Sequence, residues 1–543
     1  MTGAGARRAI RTDAANYAMP ARYNRSRVNP PMPIPAMEPG LPGDSNRRRT
    51  LLLSALAVLG AVVVRGAVFV WWEQASFDSD QAVTGLMAKH LSEGQAFPLF
   101  YYGQNYLLAV QAWMAAPVFL ALGPTVFALK LPLWLLNAVT ALLLVRVLRD
   151  DVGLRPAAAL LASAFFVLAP PGTAGQLMSA LGVSVEPFLY VLLIWMLRER
   201  PLWQGLVLGI GFLHREFTAY GFVGVLAVAA LDRSLFTRAR LVRAAAALVA
   251  AAAVWAVVWA LRPYSSGAGP GTTPLDVAGA ANNIQGLLDR VCGEPRLVAR
   301  GFGSLLGSYL GLPLGLTPSP LSDFFVNSRL AQGAPWAWPV AGLAGLAALA
   351  RVAWLIARRG VAASMAVAGA AVYLFLVGAI AAAAYNVGRC GDLHVLTVRY
   401  VLLAILAPIG LAAAWLRLEP RRAVRGVILV ALGAWTAASL TGHARLAGEY
   451  LWRTPPAHAR ALSDYLVGHR IRFVRTDYWT GYRVAFLSQE RVVPDTDGVW
   501  RVLQYHRWVA ERPRSTYYVG RSPCALGGVE AVPGVYWVCP PPD

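Results

Sequence analysis

Apolar residues in this chain come in long unbroken runs rather than at alternate or helix-face spacing. From the N-terminal end they are Leu51–Trp72, Thr125–Val145, Pro156–Ala169, Gln176–Leu197, Leu202–Leu213, Thr218–Leu231, Leu241–Leu261, Trp336–Ile356, Val361–Ala384, Val398–Trp415 and Val424–Leu440. As a helix, a run of about 18 residues or more spans the roughly 30 Å of bilayer hydrocarbon. The pattern predicts an α-helical polytopic membrane protein with about eleven transmembrane helices, occupying 51–440. A further run, Tyr106–Leu122, is apolar enough to qualify but passes into Gly123-Pro124 without a charged loop. Residues 1–50 carry Arg, Pro, Ala and Gly and read as a disordered basic tail. No apolar core precedes Leu51, so the first run reads as a retained helix rather than a cleaved signal.

Beyond Leu440 the runs stop. Strand-like pieces (Ile471–Arg475, Glu490–Val493, Thr516–Val519) alternate with helical ones (Ala457–Val467, Val499–Ala510), which predicts a small α/β domain over 441–543.

Composition agrees: 57% of the 543 residues are hydrophobic and 14% charged, against roughly 25% charged in a soluble domain. A net charge of +21 first suggests nucleic acid. The distribution argues against it, because the cations are mostly Arg in short clusters between apolar runs, as in cytoplasmic membrane loops. With the N-terminus inside and Tyr106–Leu122 lying on or dipping into the outer face, sixteen arginines fall in five short inner loops. They are Arg146, Arg149 and Arg155; Arg198 and Arg200; Arg233, Arg238, Arg240 and Arg243; Arg351, Arg358 and Arg359; and Arg417, Arg421, Arg422 and Arg425. The short outer segments hold only Lys89, Arg215, Arg389 and Arg399. Counting Tyr106–Leu122 as a crossing would put the sixteen outside, against the positive-inside rule. The expected topology is an integral plasma (inner) membrane protein, N-terminus cytoplasmic, with a first outer loop 73–124, a central outer loop 262–335 and an extracytoplasmic C-terminal domain. All four cysteines then lie outside, which suggests disulfides: Cys524–Cys539 within the domain and Cys292–Cys390 between loops.

That topology also gathers the candidate chemistry on one face. Trp71 and Trp72 mark the interface, and Asp78 and Asp80 follow at once. Val83, Leu86, Met87 and Leu91 at helical spacing, with Lys89 and His90 among them, predict an amphipathic helix on the outer surface. Glu186 stands near the outer end of its run, where an ionisable group is costly and a functional candidate. His214, Arg215 and Glu216 interrupt two runs at the same level; the bland alternative is a turn kept polar by solvent. Arg399 and Tyr400 open a late run, where a guanidinium suits a phosphate or serves as a snorkelling anchor. Arg65, seven residues before Trp72, reaches the same cavity or pairs with an acidic neighbour.

The stretch Asp80-Gln81-Ala82-Val83-Thr84-Gly85-Leu86-Met87-Ala88-Lys89-His90-Leu91-Ser92-Glu93-Gly94 resembles the first-loop motif of GT-C glycosyltransferases. These include the family 39 protein O-mannosyltransferases and the lipid A aminoarabinose transferases. Arg399-Tyr400-Val401-Leu402-Leu403 resembles the Arg-Tyr motif opening a late span in the same enzymes. Phe77-Asp78-Ser79-Asp80 with Tyr101-Tyr102-Gly103-Gln104-Asn105-Tyr106, and Asp477-Tyr478-Trp479-Thr480-Gly481-Tyr482-Arg483, are similar to bacterial members of that group. The resemblance implies a GT-C-like fold and transfer of a hexose or pentose from a polyprenyl-phosphate donor to an extracytoplasmic lipid, glycan or protein hydroxyl, with inversion, in cell-envelope synthesis. It implies Asp80 as base. Gln81 stands where the family often has Glu, and Asp78 is the carboxylate available in its place. Glu186 corresponds to a later acidic residue. Arg399, with Tyr400, Arg215 and Arg65, falls to the donor phosphate, and His214, Glu216, Lys89, His90, Tyr101, Tyr102, Gln104 and Asn105 to substrate contacts. No cofactor is required; a divalent cation on Asp78 and Asp80 is compatible with the chemistry. There is no dinucleotide-type glycine fingerprint, which agrees with a lipid-borne donor. Other readings are a transporter or flippase of a lipid-linked sugar, which calls for charges at mid-span and inverted repeats; an envelope scaffold with dispensable Asp78 and Asp80; and a polysaccharide polymerase or ligase. Tyr478, Trp479, Tyr482, Trp500 and Tyr505 suit either carbohydrate stacking or a packed core.

Overall fold

A computed structural model describes residues 43–104, 106–273, 291–304, 337–388, 395–525 and 527–541. The basic tail before 43, most of the central loop, Asn105, Arg389 and Cys390 lie outside the described residues. The chain is mostly helical. In order the helices are α1 (Gly43–Trp71), α2 (Ser79–Ser92), α3 (Val110–Leu122), α4 (Val126–Asp150), α5 (Pro156–Val167), α6 (Pro171–Leu177), α7 (Glu186–Met196), α8 (Pro201–His214), α9 (Thr218–Leu231) and α10 (Arg238–Leu261). Then come α11 (Pro295–Ser304), α12 (Ala337–Arg359), α13 (Val361–Val387), α14 (Leu406–Leu418) and α15 (Arg422–Trp452). A 3-10 stretch, Val395–Ile405, leads into α14. Among the described residues six helical segments are long and apolar enough to cross a membrane: Arg48–Trp71, Val126–Asp150, Arg238–Tyr264, Val361–Val387, Arg399–Leu418 and Arg422–Trp452. The pair α5 and α6, bent by 76°, adds a seventh if taken as one broken span. The protein is an integral membrane protein.

Two predicted runs take a different form. Gln176–Leu197 is not one helix: α6 ends at Leu177, and the backbone stays irregular until Glu186 opens α7. Pro170-Pro171 and Glu186-Pro187 sit at the two breaks, where proline withholds the donor that a continuing helix needs. Irregular backbone in an apolar bundle persists only where other groups satisfy it. Here the Asn137 amide donates to Leu177 O, Gln81 Oε1 accepts from Ala180 N, Thr84 Oγ1 donates to Ala180 O and Arg215 donates to Leu181 O. The last run does not stop at Leu440 either, since α15 continues to Trp452 and carries the chain out of the bundle.

The bundle has two distinct ends. At one, Arg198 pairs with Asp151, Arg240 and Arg243 with Glu199, and Arg351 bidentately with Glu419, while Arg417 lies against Gly153. The arginine-rich loops thus share a single end. At the other end, α1 and α4 meet antiparallel. Trp134 Nε1 donates to Val62 O, and Lys130 Nζ donates to Phe69 O, Ala75 O and Ser76 O at 2.9–3.1 Å. The chain therefore re-enters α4 on the side where it left α1, and α2 with α3 makes no net crossing. This is the path that the charge argument assigned to Tyr106–Leu122.

The C-terminal domain holds a five-stranded sheet in the order β2-β1-β3-β5-β4. The strands are β1 (Phe473–Thr476), β2 (Val493–Thr496), β3 (Thr516–Gly520), β4 (Val529–Val532) and β5 (Tyr536–Cys539). β1 pairs in parallel with β2 and β3, whereas β5 pairs antiparallel with β3 and β4. Helices α16 (His458–Gly468), α17 (Tyr478–Leu487) and α18 (Leu503–Ala510) flank it. The α/β domain expected beyond the apolar runs is present, with β2 three residues later than the pattern suggested and α17 unforeseen. Asp477 caps α17 through the amides of Trp479 and Thr480. Cys524 and Cys539 form a disulfide that ties the approach to β4 onto β5. Cys292 is also disulfide-bonded, and its expected partner Cys390 is outside the described residues.

The domain sits on α2. Gly85, in the middle of α2, faces Phe486 of α17 so closely that a Cβ would collide with the ring. Phe486 also packs on Phe77 and Phe119.

Candidate active site

The turn Glu73–Asp78 between α1 and α2 carries the first candidate carboxylate. Ser76 has φ 61°, a left-handed conformation unusual for a residue with a Cβ. Its carbonyl receives both Lys130 Nζ and Gln81 Nε2, each at 2.9 Å, and these bonds fix the turn. Asp78 then caps α2 by accepting from Gln81 N at 3.0 Å, and Asp80 follows in the first turn. Burial raises the Asp78 carboxyl above its ordinary value, the Asp80 charge adds to the rise, and Arg399 opposes it.

Asp80 is held from three elements. Oδ2 accepts from Arg399 Nη1 at 3.1 Å, and Oδ1 accepts from the Tyr478 hydroxyl at 2.6 Å. Its backbone carbonyl accepts from the Tyr101 hydroxyl at 2.9 Å. Arg399 continues to the Tyr400 hydroxyl at 3.4 Å and lies over that ring. Beyond Tyr478 stands Arg501, whose Nε approaches the Tyr478 hydroxyl at 3.5 Å and whose Nη1 donates to Tyr102 O at 3.3 Å. Its guanidinium lies 5.2 Å from the Tyr101 ring centroid, within cation–π range. Burial raises the Tyr478 phenol well above its ordinary value, and the adjacent Asp80 charge acts in the same direction, so Tyr478 is a hydrogen-bond donor at neutral pH.

Glu186, at the start of α7, is fully buried and accepts from the Gln111 amide of α3. Its Oε2 has no hydrogen-bond partner among the described residues. Arg215 reaches over the same irregular segment to Leu181 O at 3.0 Å, leaving its buried Nε without a partner among the described residues; the Nε of Arg399 is in the same position. A small pocket between α2 and α3 is lined by Thr84, Met87, Tyr101, Gln111, Leu181 and His214. Orphaned donors on buried guanidiniums are costly unless an acceptor fills them.

The structure thus brings Asp78, Asp80, Tyr101, Arg399 and Tyr400 into one cluster, with Arg215 and Glu186 nearby. Several other candidates are engaged elsewhere. Arg65 is buried between α1, α4 and α5, donating to Phe166 O and Asn137 Oδ1 with its guanidinium 5.0 Å from the Phe166 ring. These two acceptors hold its guanidinium within the bundle, away from the acidic cluster, although its buried Nε has no partner among the described residues. Lys89 and His90 do not face an open site: Lys89 Nζ donates to Glu490 Oε2 at 2.6 Å and Glu93 Oε2 at 2.9 Å, and His90 Nε2 donates to Glu490 Oε1 at 2.9 Å. Tyr102 is buried beneath them with its hydroxyl on His90 Nδ1. These three belong to a latch between α2 and the C-terminal domain. His214 is buried against Tyr190 and Gly182, and Glu216 is exposed on the turn. Gln104 stays in the Tyr101 turn with a buried Oε1 that lacks a partner among the described residues. No three His, Cys, Asp or Glu side chains converge as metal ligands among the described residues. The groups that bond to Asp80 are donors.

Four participants escaped the sequence reading. Lys130 was hidden inside an apolar run, although a lone cation there is itself a signal. Tyr478 stands in a family-like stretch and among the aromatics, with nothing in the sequence to tie it to Asp80, and Arg501 and Glu490 give no local signal.

No family model matches this chain, and none of the curated proteins matches it. Among solved structures, it is similar to ArnT from Cupriavidus metallidurans bound to undecaprenyl phosphate, at 12% identity and a TM-score of 0.38, over 91% of this chain and 98% of that one. It is likewise similar to the same protein in the apo state, at 13% identity and a TM-score of 0.42 over the same shares. Likenesses at these scores settle neither chemistry nor site.

Proposed function

We propose that this protein is a membrane glycosyltransferase that moves a sugar from a polyprenyl-phosphate donor to an acceptor hydroxyl. One observation carries the reading: the Asp80–Arg399 ion pair, which joins the two stretches whose sequences resemble GT-C motifs although 319 residues separate them. A carboxylate poised as base sits beside a guanidinium with an unspent donor, at the end of the bundle opposite the arginine-rich loops. In this reading that end, with the C-terminal domain, is extracytoplasmic and the N-terminus is cytoplasmic.

The chemistry follows from the groups in place. The acceptor hydroxyl takes the position of the Tyr478 hydroxyl on Asp80 Oδ1 and attacks the anomeric carbon from the face opposite the leaving phosphate. Its proton passes to Asp80 as the new C–O bond forms. The bond from the anomeric carbon to the phosphate oxygen breaks, and its electron pair leaves with the polyprenyl phosphate. Arg399 and Arg215 neutralise the charge that grows there. A single displacement inverts the anomeric centre. The test is release of polyprenyl phosphate from a panel of polyprenyl-phosphate hexoses and pentoses by the purified full chain in lipid. Release from at least one donor supports the reading. Tight binding with transbilayer movement of an intact donor, and no release from any, would replace it with the transporter reading.

A further inference from the structure

The proposed reading leaves the C-terminal domain without a role, yet the domain reaches into the cluster. Arg501 lies just before α18, in a segment pinned on three sides. Its own amide donates to the Tyr482 hydroxyl at 2.6 Å, Leu503 N donates to Ala268 O at 2.9 Å, and Gly103 N donates to Gly267 O at 3.0 Å. The start of the central loop is thereby wedged between the first loop and the domain. Arg501 and Arg399 flank Asp80 from opposite oxygens, Arg399 directly on Oδ2 and Arg501 through the Tyr478 hydroxyl on Oδ1. Tyr106 lies within the electrostatic reach of both Arg215 and Arg501. Two of the Arg501 nitrogens are engaged, and no hydrogen bond among the described residues engages Nη2. Arg399 and Arg501 therefore flank one carboxylate with donors to spare, and Arg215, within electrostatic reach of Tyr400 and Tyr106, brings a third guanidinium with an unpartnered Nε close by.

We infer that Arg501 is a second ligand of the donor lipid's phosphate, so that the phosphate is gripped between the membrane bundle and the C-terminal domain. This rests on the proposed polyprenyl-phosphate reading and deepens it. The docked domain is then part of the binding site, and a guanidinium is suited to it because it offers paired donors to phosphate oxygens.

The test measures binding of undecaprenyl phosphate and of the neutral alcohol undecaprenol to the purified full chain, for wild type, Arg399→Gln, Arg501→Gln and Arg501→Lys. Loss of one charge-assisted contact predicts roughly tenfold or greater weakening for undecaprenyl phosphate in Arg501→Gln. Undecaprenol binding stays unchanged, and Arg501→Lys recovers part of the loss. Equal weakening for both lipids would mean that Arg501 only seats the domain, and the inference would fall. Unchanged phosphate affinity in Arg501→Gln alongside a loss in Arg399→Gln would also overturn it while leaving the donor reading intact. A wild type that does not prefer the phosphate to the alcohol would overturn both.

Discussion

Replacing Glu490 with Gln is expected to loosen the C-terminal domain from α2. Glu490 occupies a left-handed backbone position (φ 64°) next to another at Gln489 (φ 53°), a cost accepted only where contacts compensate. Burial alone would raise its carboxyl. The bonds from His90, Lys89 and Tyr505 outweigh that and hold it down to about 2, against an ordinary 4.5. A separation of about 2.5 units corresponds to roughly 3 kcal/mol in favour of the charged form, at about 1.36 kcal/mol per unit. The sign follows from the lowered value. The stabilisation is complete above pH 4.5 and is lost as the pH falls from 4.5 through about 2. Hydrogen exchange of α2 and α17 in detergent should therefore show Glu490→Gln opening at neutral pH, with domain docking weakened by about 2–3 kcal/mol. Wild type should approach the variant's exchange rates only below pH 4.5. Equal protection in the two proteins at pH 7, or an identical acid response, would refute the latch.

Other expectations follow from single contacts. Gly85→Leu should displace the domain by collision with Phe486, seen as increased proteolysis of the linker after Trp452. Lys130→Met removes three carbonyl contacts from the Ser76 turn, and turnover should fall at least tenfold with the helices intact by circular dichroism. Breaking Cys524–Cys539 by Cys539→Ser opens a loop with a sequence separation of 15, for which about 3 kcal/mol of domain stability is at stake; an unchanged melting transition would show that the sheet needs no such tie.

How much was legible depended on the range of the interaction. Runs such as Val126–Asp150 and Val361–Val387 announce themselves, because the length of an apolar helix is a local property. The irregular stretch between Leu177 and Glu186 is hidden inside the run Gln176–Leu197, because irregular backbone in an apolar segment looks costly until its partners are known. Gln81, Thr84 and Arg215 are those partners, and only the packed structure brings them there. Asp80 and Arg399 were found through their motifs. Lys130 obeys the same rule that singled out Glu186 and went unread. Arg65 was overvalued, since the rule marks a costly group without saying whether function or internal carbonyls offset the cost. Glu490, Tyr478 and Arg501 lie about 400 residues from their partners in α2 and the Tyr101 turn, and no periodicity encodes that docking.

Asp80 as the base is the point on which the mechanism turns. The direct measurement is single-turnover release of polyprenyl phosphate from whichever donor wild type consumes, compared with Asp80→Asn, alongside donor affinity for each. Removal of a positioned base typically costs about 10²–10⁴-fold in rate. The account requires a loss of that size with donor affinity retained. Undiminished release by a folded Asp80→Asn protein would contradict it.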